Sequence, residues 1–162
     1  MRIRKARPSD LDQIVDLWWE MHTSHYKYDR AYYKLRTKKV AIRNTETHYT
    51  ERIDSPDSIF LVAENKGILI GYLYALIQDR PSVFPASKRI LIDATVVRED
   101  YRRKGIFTKL YLRMEKIASK VQPSFIELFV DHNNPAIDTY KNLGFKDRHI
   151  KMYREYGPNK KL

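Results

Sequence analysis

The chain has 162 residues, with 31 Lys and Arg against 20 Asp and Glu, a formal charge of +11 and no cysteine. That length suits one domain with a real core, and the missing cysteine excludes disulfides, thiolate metal sites and a cysteine nucleophile. The charge favours an anionic partner, whether a nucleotide cofactor, nucleic acid or an acidic surface. The N-terminal MRIRKARPSD has no secretory apolar stretch, and no window approaches the ~18 apolar residues of a membrane span. A soluble, cytoplasmic protein is expected.

Met1 to Arg7 alternates basic and apolar residues, as an edge strand does. Pro8-Ser9-Asp10 then opens a helix, with Ser9 as N-cap and Asp12 at the capping-box position. Leu11, Ile14, Val15, Trp18 and Met21 form its apolar face, and Trp18 and Trp19 read as core or groove residues. From His22 to Tyr33 the rhythm breaks in a stretch of histidines and tyrosines around Asp29. It reads either as a surface loop or as a substrate wall of Tyr26, Tyr28, Asp29 and Tyr32, since tyrosine offers a flat face with a polar tip. His22 and His25 lack acids at ligand spacing, so no metal is expected. A weak helical rhythm through Leu35, Val40, Ile42, Tyr49 and Ile53 predicts a second helix over Tyr32 to Ile53, whole or broken. Two strands, Ser58 to Glu64 and Ile68 to Gln78, join at the hairpin signal Asn65-Lys66-Gly67. Arg80 to Lys88, with Pro81 and Pro85, reads as a loop.

Ile90 to Val121 is the organising stretch. Ile90 to Val97 predicts a buried strand, and Ile106, Leu110, Met114, Ile117, Ala118 and Val121 predict an amphipathic helix. The turn between them carries Arg98, Arg102, Arg103 and Lys104 before Gly105. Unpaired first-turn amides, the helix dipole and a close backbone approach at glycine can together hold a phosphate. Many αβ proteins carry such a turn without a phosphate, so this segment alone leaves both readings standing. Phe125 to Val130 predicts another strand, and Asn133-Asn134-Pro135 a helix start. Ala136, Tyr140 and Leu143 share a stripe, Gly144 fits a C-terminal cap, and Phe145 to Arg154 predicts a last strand. Residues 156–162 read as a frayed basic tail. The order β-α-α-β-β-β-α-β-α-β is that of one mixed αβ domain over residues 1–162.

In this order two motifs stand in register: Arg102-Arg103-Lys104-Gly105-Ile106-Phe107 after the fourth strand, and Asn133, Ala136, Tyr140, Gly144 and Phe145 after the fifth. The chain thereby resembles the GCN5-related N-acetyltransferase (GNAT) family. Phe107 departs from the pattern, standing where the family usually has a second small residue. The resemblance implies a twisted, mostly antiparallel mixed sheet of six to seven strands, flanked by about four helices, with strands 4 and 5 splayed. It implies acetyl transfer from acetyl-CoA to a primary amine by direct attack in a ternary complex. Small amines, polyamines, protein N-termini and lysine side chains all qualify as acceptors.

It also implies roles for residues. Amides from Arg103 through Gly105 and Ile106 to Phe107 would hold the pyrophosphate, with charge from Arg102 and Lys104 and a hydroxyl from Thr108. Backbone at Val97 would pair with the pantetheine arm and polarise the thioester carbonyl. Asn133 would bind pantetheine or an ordered water, or else serve as a loop residue. Tyr140 would protonate the leaving thiolate, or else pack in the core. An ammonium acceptor must lose a proton before it attacks. Asp93, a carboxylate in an apolar strand where burial should raise its pKa, is the first choice of base, and Asp131 the second. A homodimer is common for family members of this size. The rival readings are a basic RNA- or ribosome-binding protein on this fold and a non-catalytic acyl-CoA binder.

Overall fold

The computed structural model describes residues 1–154. Met1–Asp131 forms one compact unit, and the chain from His132 onward a second. The first unit holds β1 (Arg2–Lys5), α1 (Leu11–His25), α2 (Lys38–Ile53), β2 (Ser58–Asn65), β3 (Ile68–Asp79), β4 (Lys88–Val97), α3 (Ile106–Ala118) and β5 (Phe125–Leu128). The second holds α4 (Ile137–Asn142). The five strands form one sheet in the order β1-β2-β3-β4-β5, antiparallel except for the parallel β4–β5 pair.

Apolar side chains cover both faces of the central strands. Phe60 and Val62 on β2, Tyr72 and Tyr74 on β3, and Ala94 and Val96 on β4 join Ile14 and Leu17 of α1 and Tyr49 and Ile53 of α2 in one core cluster. The alternate residues Leu61 and Leu73 are equally buried and point to the opposite face. Against that face α3 buries Ile106, Leu110, Met114 and Ala118, each one turn apart. The β2–β3 hairpin turns where the sequence signals it, with Lys66 (φ 50) and Gly67 (φ 80) both left-handed, as a twist-matched two-residue turn requires.

The α1 entrance differs from the expectation. Asp10, rather than Ser9 or Asp12, organises it. Its buried carboxylate accepts the Arg7 amide at 2.8 Å and both Arg4 guanidinium nitrogens at 2.7 and 2.8 Å. Arg4 also reaches Glu64 at 2.7 Å, which ties the edge strand, the helix entrance and β2 together. The hydrogen bonds from Arg4 hold the Asp10 carboxyl below its ordinary value.

Helix α1 runs on through His25, beyond the break expected at His22, and its polar residues there bond back to its own carbonyls. His22 Nδ1 lies 2.9 Å from Trp18 O, and the Thr23 and Ser24 hydroxyls donate one turn back. Helix α2 is unbroken but starts only at Lys38.

β5 stops at Leu128, short of Val130. Residues 145–154 carry no regular secondary structure, with Ile150 and Met152 about nine-tenths exposed. The sheet among the described residues therefore has five strands, not six or seven. In the second unit Asn134 Oδ1 accepts the Ala136 amide at 2.9 Å, so α4 starts two residues past the expected Pro135 position. Gly144 (φ 89) ends α4 and donates its N–H to Lys141 O. The expected tail at 156–162 lies outside the described residues.

Candidate active site

β4 is the strand on which the site residues converge. Its ladder with β3 slips where Tyr74 pairs with Ala94 and Ala75 with Ile92, which makes Asp93 the extra residue of a bulge. A bulge re-aims the side chain it carries. The burial expected for Asp93 is therefore not found: its side chain is exposed. With Trp18 of α1 and Asn44, Thr45, His48 and Tyr49 of α2, Asp93 lines a cleft of about 290 Å³. Tyr49 and Tyr72 approach each other there, hydroxyl to hydroxyl, at 3.2 Å. Burial, and then the charge of Asp93, pushes the phenols of Tyr49 and Tyr74 up, Tyr74 to about 12.

Beyond the bulge β4 loses its partner on one side. The β4–β5 ladder covers only Arg89 to Ile92 against Phe125 to Leu128, while β4 continues to Val97. This is the splay expected of strands 4 and 5. On the other side Arg98 N–H donates to Ile70 O at 2.9 Å. Hydrogen-bonded and non-bonded pairs alternate in an antiparallel ladder, so the next pair, Gly71 and Val97, is non-bonded. Val97 thus turns its N–H and C=O away from β3, toward the side where β5 has ended. Gly71 permits the close approach of β3 here, since a Cβ would meet Val96 O at 2.7 Å.

The turn after Val97 is built by backbone. A 3-10 turn, Glu99–Tyr101, leads to Arg103 (φ 58) and Gly105 (φ 71), both left-handed, and α3 starts at Ile106. A side chain at Gly105 would meet nothing within 4 Å, so glycine is there for its φ, and the space outside the turn is open. Lys109 N–H to Gly105 O (3.1 Å) is the first helical rung. The amides of Ile106, Phe107 and Thr108 therefore precede any intrahelical partner.

Ile106 sends its side chain into the core, and the Phe107 ring lies 6.1 Å from that of Tyr111, one turn along. Arg102 donates from Nε to Val97 O at 3.0 Å and stands 3.9 Å from Glu20. Glu20 also accepts the Glu99 amide at 3.0 Å. Lys104 bonds Asp100 O and lies over the Tyr101 ring. Exposed Arg102, Arg103 and Lys104 around an open left-handed glycine fit an anionic group of phosphate type.

The expected acceptor wall divides. Tyr26 and Tyr32 are exposed. Asp29 Oδ1 accepts the amides of Ala31 and Tyr32 at 2.9 and 3.0 Å, so this carboxylate shapes its own loop. Tyr28 is half-buried between the charges of Arg102 and Asp131, and burial pushes its phenol up.

Two residues outside the expected wall complete the arrangement. Tyr33 donates its hydroxyl to Asp131 Oδ2 at 2.9 Å, and burial followed by that bond pushes its phenol up to about 12. The His25 ring lies 5.4 Å from both Tyr28 and Tyr33, and burial, then the charge of His22, holds its imidazole low. The spacing of Trp18, His22 and His25, whose rings follow one another at 4.1 and 6.0 Å, was the signal available in the sequence. It continues the stripe of α1 through the apparent break.

Asn133 and Tyr140 belong to the second unit. Asn133 is exposed, and Tyr140 is half-buried on α4 with its ring 6.1 Å from Phe145. Among the described residues no group of three or more His, Asp or Glu could hold a metal, and no helix is long and apolar enough to cross a membrane.

Comparison with known proteins places this geometry. An N-alpha-acetyltransferase of Sulfurisphaera tokodaii is 29% identical, over 96% of this chain and 84% of that one. The crystal structure of a mutant BH1408 protein from Bacillus halodurans superposes with a TM-score of 0.85 at 20% identity, over 96% of this chain and 99% of that one. Aminoglycoside N-acetyltransferase AAC(6')-Iy, in complex with CoA, gives a TM-score of 0.68 at 15% identity, over 96% of this chain and 100% of that one. The family model of the acetyltransferase (GNAT) family matches residues 11–145. The chain belongs to the acetyltransferase (GNAT) family.

Proposed function

We propose that the protein transfers the acetyl group of acetyl-CoA to a primary amine by direct attack in a ternary complex. The observation that carries this reading is the early end of the β4–β5 ladder, which leaves no strand on the side to which Val97 turns its N–H, beside the open turn at Gly105. Acetyl-CoA supplies an activated thioester. The amides from Arg103 to Thr108, with Arg102 and Lys104, would hold its pyrophosphate, and Val97 N–H would polarise the thioester carbonyl. The packing of Phe107 toward Tyr111 supports a tolerant role for that bulky residue.

Asp93 on the cleft wall takes the ammonium proton, directly or through water, and frees the nitrogen lone pair. The C–N bond then forms as the C–S bond breaks; Tyr140, by its place in the second motif, protonates the thiolate, and the second proton lost from nitrogen restores the Tyr140 phenol through solvent, while Asp93 releases the first to solution. Asn133 contributes to binding the pantetheine arm. Tyr28, with Tyr26, Asp29 and Tyr32 on the same loop, forms the acceptor side. The family model spans both units, which supports reading residues 1–162 as one acetyltransferase domain.

Among acceptors, the name of the Sulfurisphaera tokodaii relative supports a protein N-terminus. The carboxylate and rings of the cleft also suit polyamines. A screen of peptides with free N-termini, lysine peptides and polyamines, followed by release of free thiol from acetyl-CoA, tests this. Saturable, acceptor-dependent thiol release is the expected result, and none with any amine would contradict it.

A further inference from the structure

The loop between α1 and α2 has to be positioned before it can meet an acceptor, and little on its own elements does this. Residues 26–37 contain no regular helix, and Asp29 caps the turn that contains it. Tyr33 Oη donates to Asp131 Oδ2 across 98 residues of sequence, which ties this loop to a distant part of the first unit. Asp131 follows the short β5, so it stands at the carboxyl end of the strand whose early stop opens β4. The parallel pairing of β4 and β5 puts Val97 and Asp131 at the same end of the sheet, the end at which ligands of parallel strands collect. Tyr28, three residues past His25, lies where the charges of both Arg102 and Asp131 act on it. His25 packs its ring between Tyr28 and Tyr33 at 5.4 Å from each.

We propose that the Tyr33–Asp131 hydrogen bond is a strut that sets the acceptor wall, with Tyr33 and Asp131 as positioning residues acting through Tyr28. This rests on the acetyl-transfer reading above, and it gives Asp131 a role other than that of a base. A strut needs an acceptor oxygen at position 131, whereas a base needs a titratable carboxylate. Asn keeps the first and removes the second. The charges of Asp29 and Tyr32 act on Tyr33 itself, that of His22 on His25, and that of Arg102 on Tyr28.

Four proteins test it: wild type, Tyr33→Phe, Asp131→Asn and Asp131→Ala. Losing one hydrogen bond to a carboxylate should raise the acceptor KM by about 10-fold in Tyr33→Phe and Asp131→Ala. kcat at saturating acceptor and the acetyl-CoA KM should stay within about 2-fold. Asp131→Asn should stay near wild type in all three. Amide exchange, read without any substrate, should speed up by about 10-fold at Ala31, Tyr32 and Tyr33 in Tyr33→Phe and Asp131→Ala, and not in Asp131→Asn. Coenzyme A titration and thermal melting of each variant show whether it is folded. The proposal is overturned if Asp131→Asn and Asp131→Ala both lose kcat far beyond 2-fold, since the charge would then be what matters. It is equally overturned if Tyr33→Phe leaves both exchange and acceptor KM unchanged. Absence of acetyl transfer by the wild-type protein would sink the underlying reading, and it shows in the wild type alone, whatever the variants do.

Discussion

The proposed cofactor turn and the proposed acceptor wall lie in the same unit and are made by different means. The turn from Val97 to Thr108 is a backbone construction: two left-handed residues, a glycine with open space and a run of helix-start amides. The exposed side chains of Arg102, Arg103 and Lys104 add charge, and Arg102 and Lys104 also bond back to the backbone of the turn. The acceptor wall is a side-chain construction. Tyr28, Tyr33, His25 and Asp131 come from a helix end, a loop and a strand exit, joined by rings and one hydrogen bond. A backbone site is written in a few consecutive residues and serves any member that binds the same anion. A side-chain site can change partner by partner, and this is where a common fold acquires a particular acceptor.

The sharpest way to break the comparison is at Gly105. Asp there meets no atom, but its left-handed φ should cost about 1 kcal/mol of stability, and it brings a negative charge to the position proposed to face an anion. Acetyl-CoA affinity should fall by about 100-fold in a calorimetric titration. A loss below twofold would show that the turn does not hold the anion. Next in size is Asp93→Asn, expected to lower kcat by about 100-fold while leaving acetyl-CoA affinity intact. Steady-state kinetics with both substrates varied would show this, and an unchanged kcat would move the base elsewhere.

Asp29→Ala should be milder. Removing the bonds to the Ala31 and Tyr32 amides should raise the acceptor KM more than the acetyl-CoA KM, by about 3-fold. Equal changes in the two would deny the loop its side of the division.

The smallest effect concerns pH. His22 and His25 are held below their ordinary 6.5 by burial, so the unfolded chain binds protons that the folded one does not. Their contribution to stability is full above pH 6.5 and is lost as pH falls through the lowered folded values. Thermal melts of wild type and His25→Gln between pH 5 and 8 should converge toward the acid end. Parallel curves would contradict the buried, neutral state.

What could be read in the sequence follows the same division. Gly105 with its cations, the hairpin at Lys66 and Gly67, and Gly144 at the end of α4 are local backbone demands, and local residues state them. The bulge at Asp93 is not local. Its exposure depends on a slip between two strands, and one residue of slip turns an expected buried carboxylate into the wall of a cleft. The expected strand over 145–154 failed because alternation alone does not bury Ile150 and Met152, and a strand needs a partner. Ser9 read as a cap because its type fits, but Asp10 has Arg4 within reach, and Glu64 of β2 holds Arg4 from its other side. Tyr33 and Asp131 carry no signal in common; only the ending of β5 brings them together.

The central claim is that acetyl-CoA lies along the free side of β4 at Val97 and on the turn at Gly105. Amide exchange with and without saturating coenzyme A tests it directly. The account predicts slowed exchange at Val97 and over residues 105–108, with residues 26–33 little changed until an acceptor is added. Coenzyme A that binds but protects only residues elsewhere, or that does not bind at all, would contradict it.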